Sequence, residues 1–518
     1  MQQSLHKTSL WSHEWSASAG LRDSRHLLFW LIGIAFIARV GFVFLVNAYN
    51  DDAYITFRYA RNVITGSGFA YNAGEAVFGA SSPLYVLIWA VVGSVVSFAS
   101  VPFLAQWFGC LSLFGFVALL WDEIPFSTPV KLVVSIGLLS YPRIFYSSIG
   151  GMEECFILLI MGLSYSTYRR QSAIGLGISL AILFLCKIDT LIWIVCLLAV
   201  IVLAEKRAPW KSLLVALLFS LPWIIYAVLK FGSVIPHTVE AKQIAYSHEP
   251  GLPFVDAVLF TVPDAYRNNP YVVLLFGVAV YGILVFTLVR AVKSKSFSFL
   301  VFPVYCLVYT LVLLLSGTSL GLWERWTVPH WGMFLVSSGY FVEWMVSRFH
   351  VDETIIGKPW YAPAVLSLLL VCLTASFLYP YRASPDPESS REVGVWLRNN
   401  AQSQESVMLE PIGFIGYLSN LRVHDFIGLI TPEVTSARQQ TPGSNRWFTR
   451  YLKQHEPSFV VFRSSEVKNN QFMSGGCGDG IFLAEEADWF NAHYILTYQT
   501  KRGEVTEELR IYKRAVME

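Results

Sequence analysis

Charged residues are scarce in this sequence of 518 amino acids. Asp, Glu, Lys and Arg together make up 14% of the chain, whereas a soluble globular protein carries about 25%. Hydrophobic residues make up 54%, and the mean hydropathy is +0.50. Apolar runs of roughly 20 residues recur, which is the length that crosses a bilayer as a helix. The composition therefore predicts a polytopic helical membrane protein and excludes an ordinary soluble domain.

Cysteines with metal-binding or disulfide spacing are also missing. The seven cysteines are scattered, with only Cys477 in the polar C-terminal region and no Cys-x-x-Cys motif. We interpret them as small apolar core residues rather than zinc ligands or disulfide partners. The net charge is +2 and basic residues form no stripe, so no nucleic-acid partner is expected. The sequence requires no cofactor, and the use of a divalent cation stays open.

The apolar segments and the basic residues between them predict a membrane topology. Basic residues precede the first span, 27–47, and place the segment 1–26 in the cytoplasm. Arg169-Arg170 marks a second cytoplasmic point, so an odd number of crossings must precede it. We therefore predict that the segment 83–98 does not cross, and that it is interfacial or re-entrant.

The remaining spans put the C-terminus outside. They are 102–121, 131–149, 152–168, 172–187, 190–204, 212–230, 271–291, 297–316, 331–347 and 361–379. The sequence thus predicts an α-helical polytopic protein of the inner (plasma) membrane with about 11 transmembrane helices. Arg39, inside the first span, is expected to reach an acidic partner or to snorkel.

Residues 380–518 are more polar and change the pattern. Short helices and strands are predicted at 388–400, 406–410, 444–455 and 459–462. Their alternation is typical of a small α/β domain. The chain therefore divides into a cytoplasmic segment, a transmembrane catalytic domain with two outer loops, and an extracytoplasmic α/β domain, at 1–26, 27–379 (loops 48–82 and 231–270) and 380–518.

Polar residues gather on the predicted outer side of the membrane. The clusters are Asp51 and Asp52 with Glu75, Glu153 with Glu154, Lys187 with Asp189, His237 and Thr238 with Lys242, and Glu324 with Arg325. Charged groups from distant parts of the chain that meet at one interface favour a functional site there.

These residue types supply acid–base and anion-binding chemistry. A carboxylate can take a proton from an attacking hydroxyl, which is worth roughly 100- to 10,000-fold in rate. Lys242 and Arg325 can hold an anionic leaving group such as a phosphate. Neighbouring helical residues diverge by about 100°, so only one of Asp51 and Asp52 is expected to face the site. Asp52 is the first choice for the base, because Asp51 can cap the helix that follows.

Structural interpretations of the same residues stay open. Glu75 can be a solvated loop charge, and His237 can be a structural residue. Glu153 and Glu154 can be charges at a helix start, and Lys187 and Asp189 can be a local ion pair. Trp323 and Trp326 can be interface anchors.

The motifs resemble those of polyprenyl-phosphate-sugar-dependent glycosyltransferases of the GT-C type. The matching pieces are Asp51-Asp52-Ala53-Tyr54-Ile55 with Arg58, Gly66-x-Gly68, Tyr71-Asn72-x-Gly74-Glu75, Ser82-Pro83-Leu84, Gly151-Met152-Glu153, Lys187-x-Asp189, Pro236-x-Thr238, Ala241-Lys242, Arg325 with Pro329, and Gly413 through Gly416 followed by Asp425-x-x-Gly428-Leu429. They are most similar to the branch that contains mycobacterial terminal arabinofuranosyltransferases. The aminoarabinose transferase of lipid A and the protein O-mannosyltransferases are more distant.

The resemblance implies an inverting transfer from a polyprenyl-phosphate sugar to a cell-envelope glycan, lipid or protein on the outer face. The candidate residues are Asp52, Asp51 and Glu75 for catalysis, Lys242, Arg325 and Arg58 for the donor phosphate, and Glu153, Lys187, Asp189, His237, Thr238 and Glu324 for the pocket. The chain departs from these relatives at Lys187-Ile188-Asp189, where Arg-Pro-Asp is usual, and at His237, where Asn is frequent. Metal use varies among the relatives.

Two other classes of function compete with this interpretation. A secondary transporter would need inverted repeats and charges at the membrane midplane, whereas this sequence shows no repeat and its charges cluster at one interface. A ligase or polymerase of lipid-linked glycans would share the outer-facing site. Such ligases tend to lack the Asp-Asp loop and to carry larger, arginine-rich outer loops than 231–270.

Overall fold

The computed structural model describes most of the chain in separate stretches. These are residues 25–46, 50–245, 270–316, 324–348, 358, 361–378, 387–440, 446–468, 471–472, 484–500 and 508–515. Most of the segment 1–26, the loop residues 246–269, Cys477 and the start of the predicted α/β domain lie outside the described residues.

The first part of the chain is helical. Its helices are α1 (Arg25–Val46), α2 (Asp51–Ile64), α3 (Pro83–Val95), α4 (Val101–Glu123), α5 (Thr128–Ser140), α6 (Pro142–Ile149), α7 (Glu154–Arg169), α8 (Ala173–Cys186), α9 (Leu191–Glu205), α10 (Trp210–Phe231), α11 (His237–Ala245), α12 (Pro270–Lys293), α13 (Val301–Ser316), α14 (Val328–Arg348) and α15 (Tyr361–Leu378). Two 3-10 turns matter below, Ile188–Thr190 before α9 and Glu324–Thr327 before α14.

The described helices are those of an integral membrane protein. Six of them are long and apolar enough to cross a bilayer, or seven if the bent pair α5 and α6 forms one span. Every predicted span except 131–149 corresponds to a single helix. The count of about 11 crossings stays a prediction, because several of these helices are short or carry more polar residues.

The predicted span 131–149 is not one continuous helix, and its crossing of the membrane stays a prediction. It is broken into α5 and α6, which meet at an angle of 58°. Pro142 has no N–H to donate, so the ladder of hydrogen bonds stops there and the helix bends. The carbonyl of Leu139 accepts a hydrogen bond of 3.0 Å from the Arg39 guanidinium.

Arg39 also corrects the prediction of an acidic partner. It is fully buried and donates to Ser148 Oγ at 2.7 Å and to the carbonyl of Ala35 at 3.1 Å. Its guanidinium lies 4.5 Å from the ring centroid of Phe145. Backbone carbonyls, a hydroxyl and an aromatic face therefore surround this cation.

Helix α3 has the dimensions expected of the segment 83–98. Its 13 residues extend roughly 20 Å at 1.5 Å per residue, which is less than the roughly 30 Å hydrocarbon core. An interfacial or re-entrant position fits this length, and its relation to the membrane stays a prediction.

The last part of the chain forms a five-stranded mixed sheet with helices around it. The order of elements is α16 (Pro387–Asn400), β1 (Ser406–Leu409), α17 (Ile412–Ser419), β2 (Arg422–Asp425), α18 (Pro432–Gln439), α19 (Arg446–His455), β3 (Phe459–Arg463), β4 (Val467–Lys468), β5 (Gln471–Phe472), α20 (Ala484–His493), β6 (Tyr494–Gln499) and β7 (Leu509–Arg514). The sheet order is β2-β1-β3-β7-β6, with β1, β2 and β3 parallel and β7 antiparallel to both β3 and β6. The helices and strands expected near 388, 406, 444 and 459 are all present.

Strands β1, β2 and β3 are buried on both faces, and their alternate residues point to opposite sides of the sheet. Val407 and Val461 belong to a core that also contains residues of α2 and α3, such as Phe57. Met408 and Phe462 belong to a second core with residues of α19 and α20. The sheet region is therefore packed continuously onto the first loop of the helical region, and its status as an independent domain stays a prediction.

Candidate active site

Helix α2 carries both adjacent carboxylates of the first loop, and Asn50 is its N-cap. The Asn50 side chain accepts a hydrogen bond of 3.0 Å from the backbone N–H of Asp52. This corrects the prediction that Asp51 caps the helix. The N–H of Asn50 donates to the carbonyl of Gly150 at 3.2 Å, so the start of α2 is fixed beside the turn that leads into α7.

Asp51 is bound to a different helix from the one it starts. Its Oδ2 accepts from the N–H of Gly413 at 2.9 Å, and its Oδ1 accepts from Phe414 at 2.8 Å. Burial raises the pKa of Asp51 to about 7, against the effect of these two hydrogen bonds. Asp52 is half-buried and leaves α2 in another direction, since successive residues differ by about 100°.

Arg58, predicted to contact the donor phosphate, lies inside the protein. It is buried, and each nitrogen of its guanidinium donates within the protein. The acceptors are the carbonyls of Tyr71, Gly416 and Leu421 and the side chain of Asn72. With its donors directed at these groups, Arg58 holds the first loop against α17, and its role at the donor phosphate stays a prediction.

Glu75 has a similar structural environment. Its carboxylate accepts a hydrogen bond of 2.9 Å from Arg422 Nε in β2 and one of 3.0 Å from the Asn72 side chain. The solvated-loop interpretation is wrong, because the side chain is only 29% exposed and paired. These contacts assign Glu75 to the junction with the sheet, so the structure gives no support to its prediction as a catalytic base.

Four of the other predicted residues meet around one tryptophan. Lys187 Nζ lies 3.1 Å from Glu153 Oε1 and 5.5 Å from the Trp326 ring centroid. Lys242 Nζ lies 4.2 Å from the same centroid. Asp189 interacts electrostatically with Lys187, Glu153 and Lys242. These residues come from the cap of α7, from α11 and from two 3-10 turns with the residue before one of them. We call them the lysine–tryptophan cluster, which includes Glu153, Lys187, Asp189, Lys242 and Trp326.

The lysine–tryptophan cluster is joined to the start of α2 by the turn at Gly150 and Gly151. Gly151 has a φ of +78°, a conformation that favours glycine. Its carbonyl accepts from Tyr85 Oη at 3.0 Å. Three residues after Gly150, Glu153 accepts a hydrogen bond of 2.9 Å from Ser82 Oγ. The first loop and the cluster therefore share supporting contacts at both ends of this turn.

His237 lies between the first loop and the sheet region. Its N–H donates to the carbonyl of Phe78 at 2.9 Å, and its Nε2 lies 3.1 Å from Thr435 Oγ1. Burial lowers the pKa of His237, so the neutral ring is favoured. Thr238 is buried beside it. These contacts fit the structural interpretation, and the pocket roles of both residues stay predictions.

Arg143 is a cation that the sequence reasoning missed. It is buried in α6, and its Nη1 donates to Thr327 Oγ1 at 3.2 Å, next to Trp326. An arginine directly after Tyr141-Pro142 in an apolar segment was the available signal. Glu324 and Arg325 lie in the adjacent 3-10 turn, and their side chains are outside the described residues.

The described residues hold no group of three or more His, Cys, Asp or Glu side chains arranged to bind a metal ion. Metal dependence is therefore a question for measurement on the protein.

Comparison with solved structures identifies the fold as that of GT-C glycosyltransferases. ArnT from Cupriavidus metallidurans, bound to undecaprenyl phosphate, has a TM-score of 0.55 at 10% identity, covering 94% of this chain and 98% of that one. The Archaeoglobus fulgidus oligosaccharyltransferase, in complex with Zn and sulfate, has a TM-score of 0.53 at 11% identity, covering 93% and 73%. The predicted GT-C resemblance is thus confirmed at the level of the fold.

Mycobacterial arabinofuranosyltransferase AftD is also similar, with a TM-score of 0.42 at 13% identity, covering 94% of this chain and 41% of AftD. A likeness at this level does not distinguish one branch of these enzymes from another. In sequence, a family model described as a domain of unknown function, DUF8728, matches residues 381–512. No protein of curated function matches the chain.

Proposed function

We propose that this protein is a membrane glycosyltransferase. It transfers a sugar from a polyprenyl-phosphate donor to a cell-envelope acceptor on the outer face of the plasma membrane. The lysine–tryptophan cluster carries the proposal, because it places two ammonium groups against one indole ring beside the turn that supports the Asp52-bearing helix. The likeness to ArnT over nearly the whole length of both chains supports the same reaction class.

The reaction is an inverting displacement at the anomeric carbon. Asp52 takes the proton of the acceptor hydroxyl, and the hydroxyl oxygen forms a bond to the anomeric carbon. The bond from that carbon to the phosphate oxygen breaks, and polyprenyl phosphate leaves with the electron pair. Lys242 and Lys187 compensate the negative charge that grows on the phosphate, and Arg143 is a third cation within reach of the same face.

The cluster fits a phosphate better than an isolated lysine pair would. Glu153 and Asp189 hold Lys187 in place, and the Trp326 ring lies against both ammonium groups. Cations that are already positioned lose less side-chain entropy when the anion binds. The apolar part of the donor would then lie along the membrane helices.

The proposed topology places the site on the outer side of the membrane. With the N-terminus in the cytoplasm and about 11 crossings, α2, the lysine–tryptophan cluster and the sheet region all lie outside. The division at residues 27–379 and 380–518 then separates a catalytic membrane part from an extracytoplasmic α/β part.

A second candidate is the transfer of a whole lipid-linked glycan. The likeness to an oligosaccharyltransferase, at a TM-score of 0.53, favours this alternative over a transporter. The two reactions differ in the donor, which carries a single sugar in the first case and an oligosaccharide in the second.

The test uses membranes that contain the wild-type protein or Asp52→Asn. They receive radiolabelled polyprenyl-phosphate monosaccharides in one series and lipid-linked oligosaccharides in another, and the label is followed into envelope fractions. Transfer from monosaccharide donors by the wild type alone is expected. Transfer only from oligosaccharide donors would select the second candidate, and equal transfer by both proteins would remove Asp52 as the base.

A further inference from the structure

One short helix of the sheet region, α17, is bound at both ends by α2. At its start, the N–H groups of Gly413 and Phe414 donate to the carboxylate of Asp51. At its end, Arg58 donates to the carbonyl of Gly416, and Arg61 donates to the carbonyl of Tyr417 at 3.1 Å. The N–H groups of Gly413 and Phe414 and the carbonyl of Tyr417 are among the backbone groups that a helix leaves without internal partners, whereas the carbonyl of Gly416 also accepts from the N–H of Asn420 at 3.1 Å.

The charges match the polarity of α17. The start of a helix carries a partial positive charge and its end a partial negative charge. Asp51 lies at the first, and Arg58 and Arg61 lie at the second. The seven steps from Asp51 to Arg58 advance roughly 10 Å, and the eight residues of α17 have nearly the same length. One face of α2 thus fits this helix from end to end.

The contact is too close for any side chain at two positions of α17. A Cβ on Gly413 would lie 1.8 Å from the carbonyl oxygen of Asp51, and one on Gly416 would lie 1.9 Å from Tyr71 Oη. Between the two glycines, the Phe414 ring stacks on Tyr54 with 4.0 Å between centroids. Backbone contact at this distance fixes the position of α2 in translation and rotation.

The location in the sheet strengthens this interpretation. Strands β2, β1 and β3 are parallel, and β1 lies between the other two. The strands that follow β1 in sequence are therefore added on opposite sides of it. In open α/β sheets, ligands bind at the carboxyl ends of strands at such a point, and anions bind at the start of the following helix. Here that helix is α17, and the carboxylate of Asp51 occupies its start.

From this we infer that the α/β region positions the Asp52-bearing helix of the membrane part by holding Asp51, so that Asp51 is a positioning residue and not the base. The inference rests on the proposed function for the role of Asp52, while the docking of α2 on α17 stands on the contacts alone. Loss of the contact leaves the start of α2 with the hydrogen bond from Asn50 to Gly150 but without its tie to α17, and the place of Asp52 relative to the lysine–tryptophan cluster is then less well fixed.

The test combines hydrogen exchange of the full-length protein in detergent with transfer kinetics. Gly413→Ala and Asp51→Asn are compared with Asp425→Asn and Gly282→Ala. Asp425 is the matched buried carboxylate, since it also accepts two backbone N–H bonds, but from Ile427 and Leu429 inside the sheet region. Gly282 is the matched glycine, because a Cβ there meets no atom within 4 Å.

We expect faster exchange across residues 51–64 in the first two variants and wild-type exchange there in the two controls. For transfer, kcat should fall about tenfold or more in Gly413→Ala with the donor KM unchanged, since the phosphate contacts lie elsewhere. In Asp51→Asn the side chain keeps one acceptor oxygen, so kcat should fall less than in Gly413→Ala. This variant still tests the inference if Gly413→Ala fails to fold.

Unchanged exchange of α2 in both Gly413→Ala and Asp51→Asn would overturn the docking. Faster exchange with wild-type kcat would overturn the positioning role. If the wild type transfers no sugar from any donor, the proposed function fails, and the exchange measurements still decide whether α17 holds α2.

Discussion

The Oδ2 of Asp51 accepts a hydrogen bond of 2.9 Å from the backbone N–H of Gly413, which lies 362 residues further along the chain. This contact separates the roles of two adjacent carboxylates. Asp51 has both oxygens directed at α17, whereas Asp52 leaves the helix in another direction. The same helix therefore offers one carboxylate to the sheet region and the next to the proposed site.

Asp52→Asn should lower kcat about 100- to 10,000-fold, because an amide cannot take the proton of the acceptor hydroxyl. Binding of polyprenyl phosphate should be unchanged, since the cations that hold it remain. Asp122→Asn is the matched control, because Asp122 pairs with Arg25 at an exposed position far along α4. Transfer assays with a saturating donor measure the effect, and a wild-type kcat in Asp52→Asn would contradict the assignment.

Trp326→Leu should raise the donor KM about 5- to 30-fold by removing the ring that lies against Lys187 and Lys242. The range corresponds to about 1–2 kcal/mol for the two cation–aromatic contacts. The control is Trp121→Leu, whose ring lies 5.9 Å from Lys131 away from the cluster. Equal effects of the two substitutions on KM would show that Trp326 has only a general packing role.

Arg58→Lys should destabilise the protein by roughly 1.5–3 kcal/mol, because an ammonium group cannot reproduce the planar set of donors. The melting temperature of the purified protein measures this. Below that temperature, polyprenyl phosphate should bind as it does to the wild type. A wild-type melting temperature together with loss of polyprenyl-phosphate binding would instead show that Arg58 binds the donor phosphate.

The docking of α2 should weaken as the pH rises from about 4 to about 7. Burial raises the pKa of Asp51 from 3.8 to about 7, and the charges of Asp52 and Glu410 add to this effect. Tyr71 also faces the carboxyl group. The pKa of Asp51 is higher when α2 is docked than when its carboxyl group is exposed to water. Protonation of Asp51 therefore stabilises the docked state, fully below about pH 4 and progressively less as the pH rises to about 7. Above about pH 7 no further stabilisation is lost.

Hydrogen exchange of residues 51–64 at several pH values, corrected for intrinsic rates, measures this dependence. Protection should fall by at most tenfold per pH unit within the window. Asp51→Asn should remove the dependence, since an amide does not titrate there. Protection that increases with pH in the wild type would contradict the prediction.

The span 131–149 shows where local pattern stops being sufficient. Its apolar residues predicted a membrane helix, and most of the residues are indeed helical and buried. Pro142 is the local sequence signal for the bend of 58°, and a hydrophobicity pattern alone does not show it. Lys187 and Lys242 were expected at one site from topology, and their common contact with Trp326 required the folded structure.

The sequence by itself determined the membrane class, the apolar helices and, in the last region, the helices near 388 and 444 and the strands near 406 and 459, because hydrophobic runs and their periodicity are local properties of the chain. Tertiary structure alone decided that Asp51, Arg58 and Glu75 serve the junction with the sheet region. The physical reason is that a charged side chain takes its role from its partners. Here those partners are backbone groups and an arginine more than 340 residues away, which no local pattern reveals.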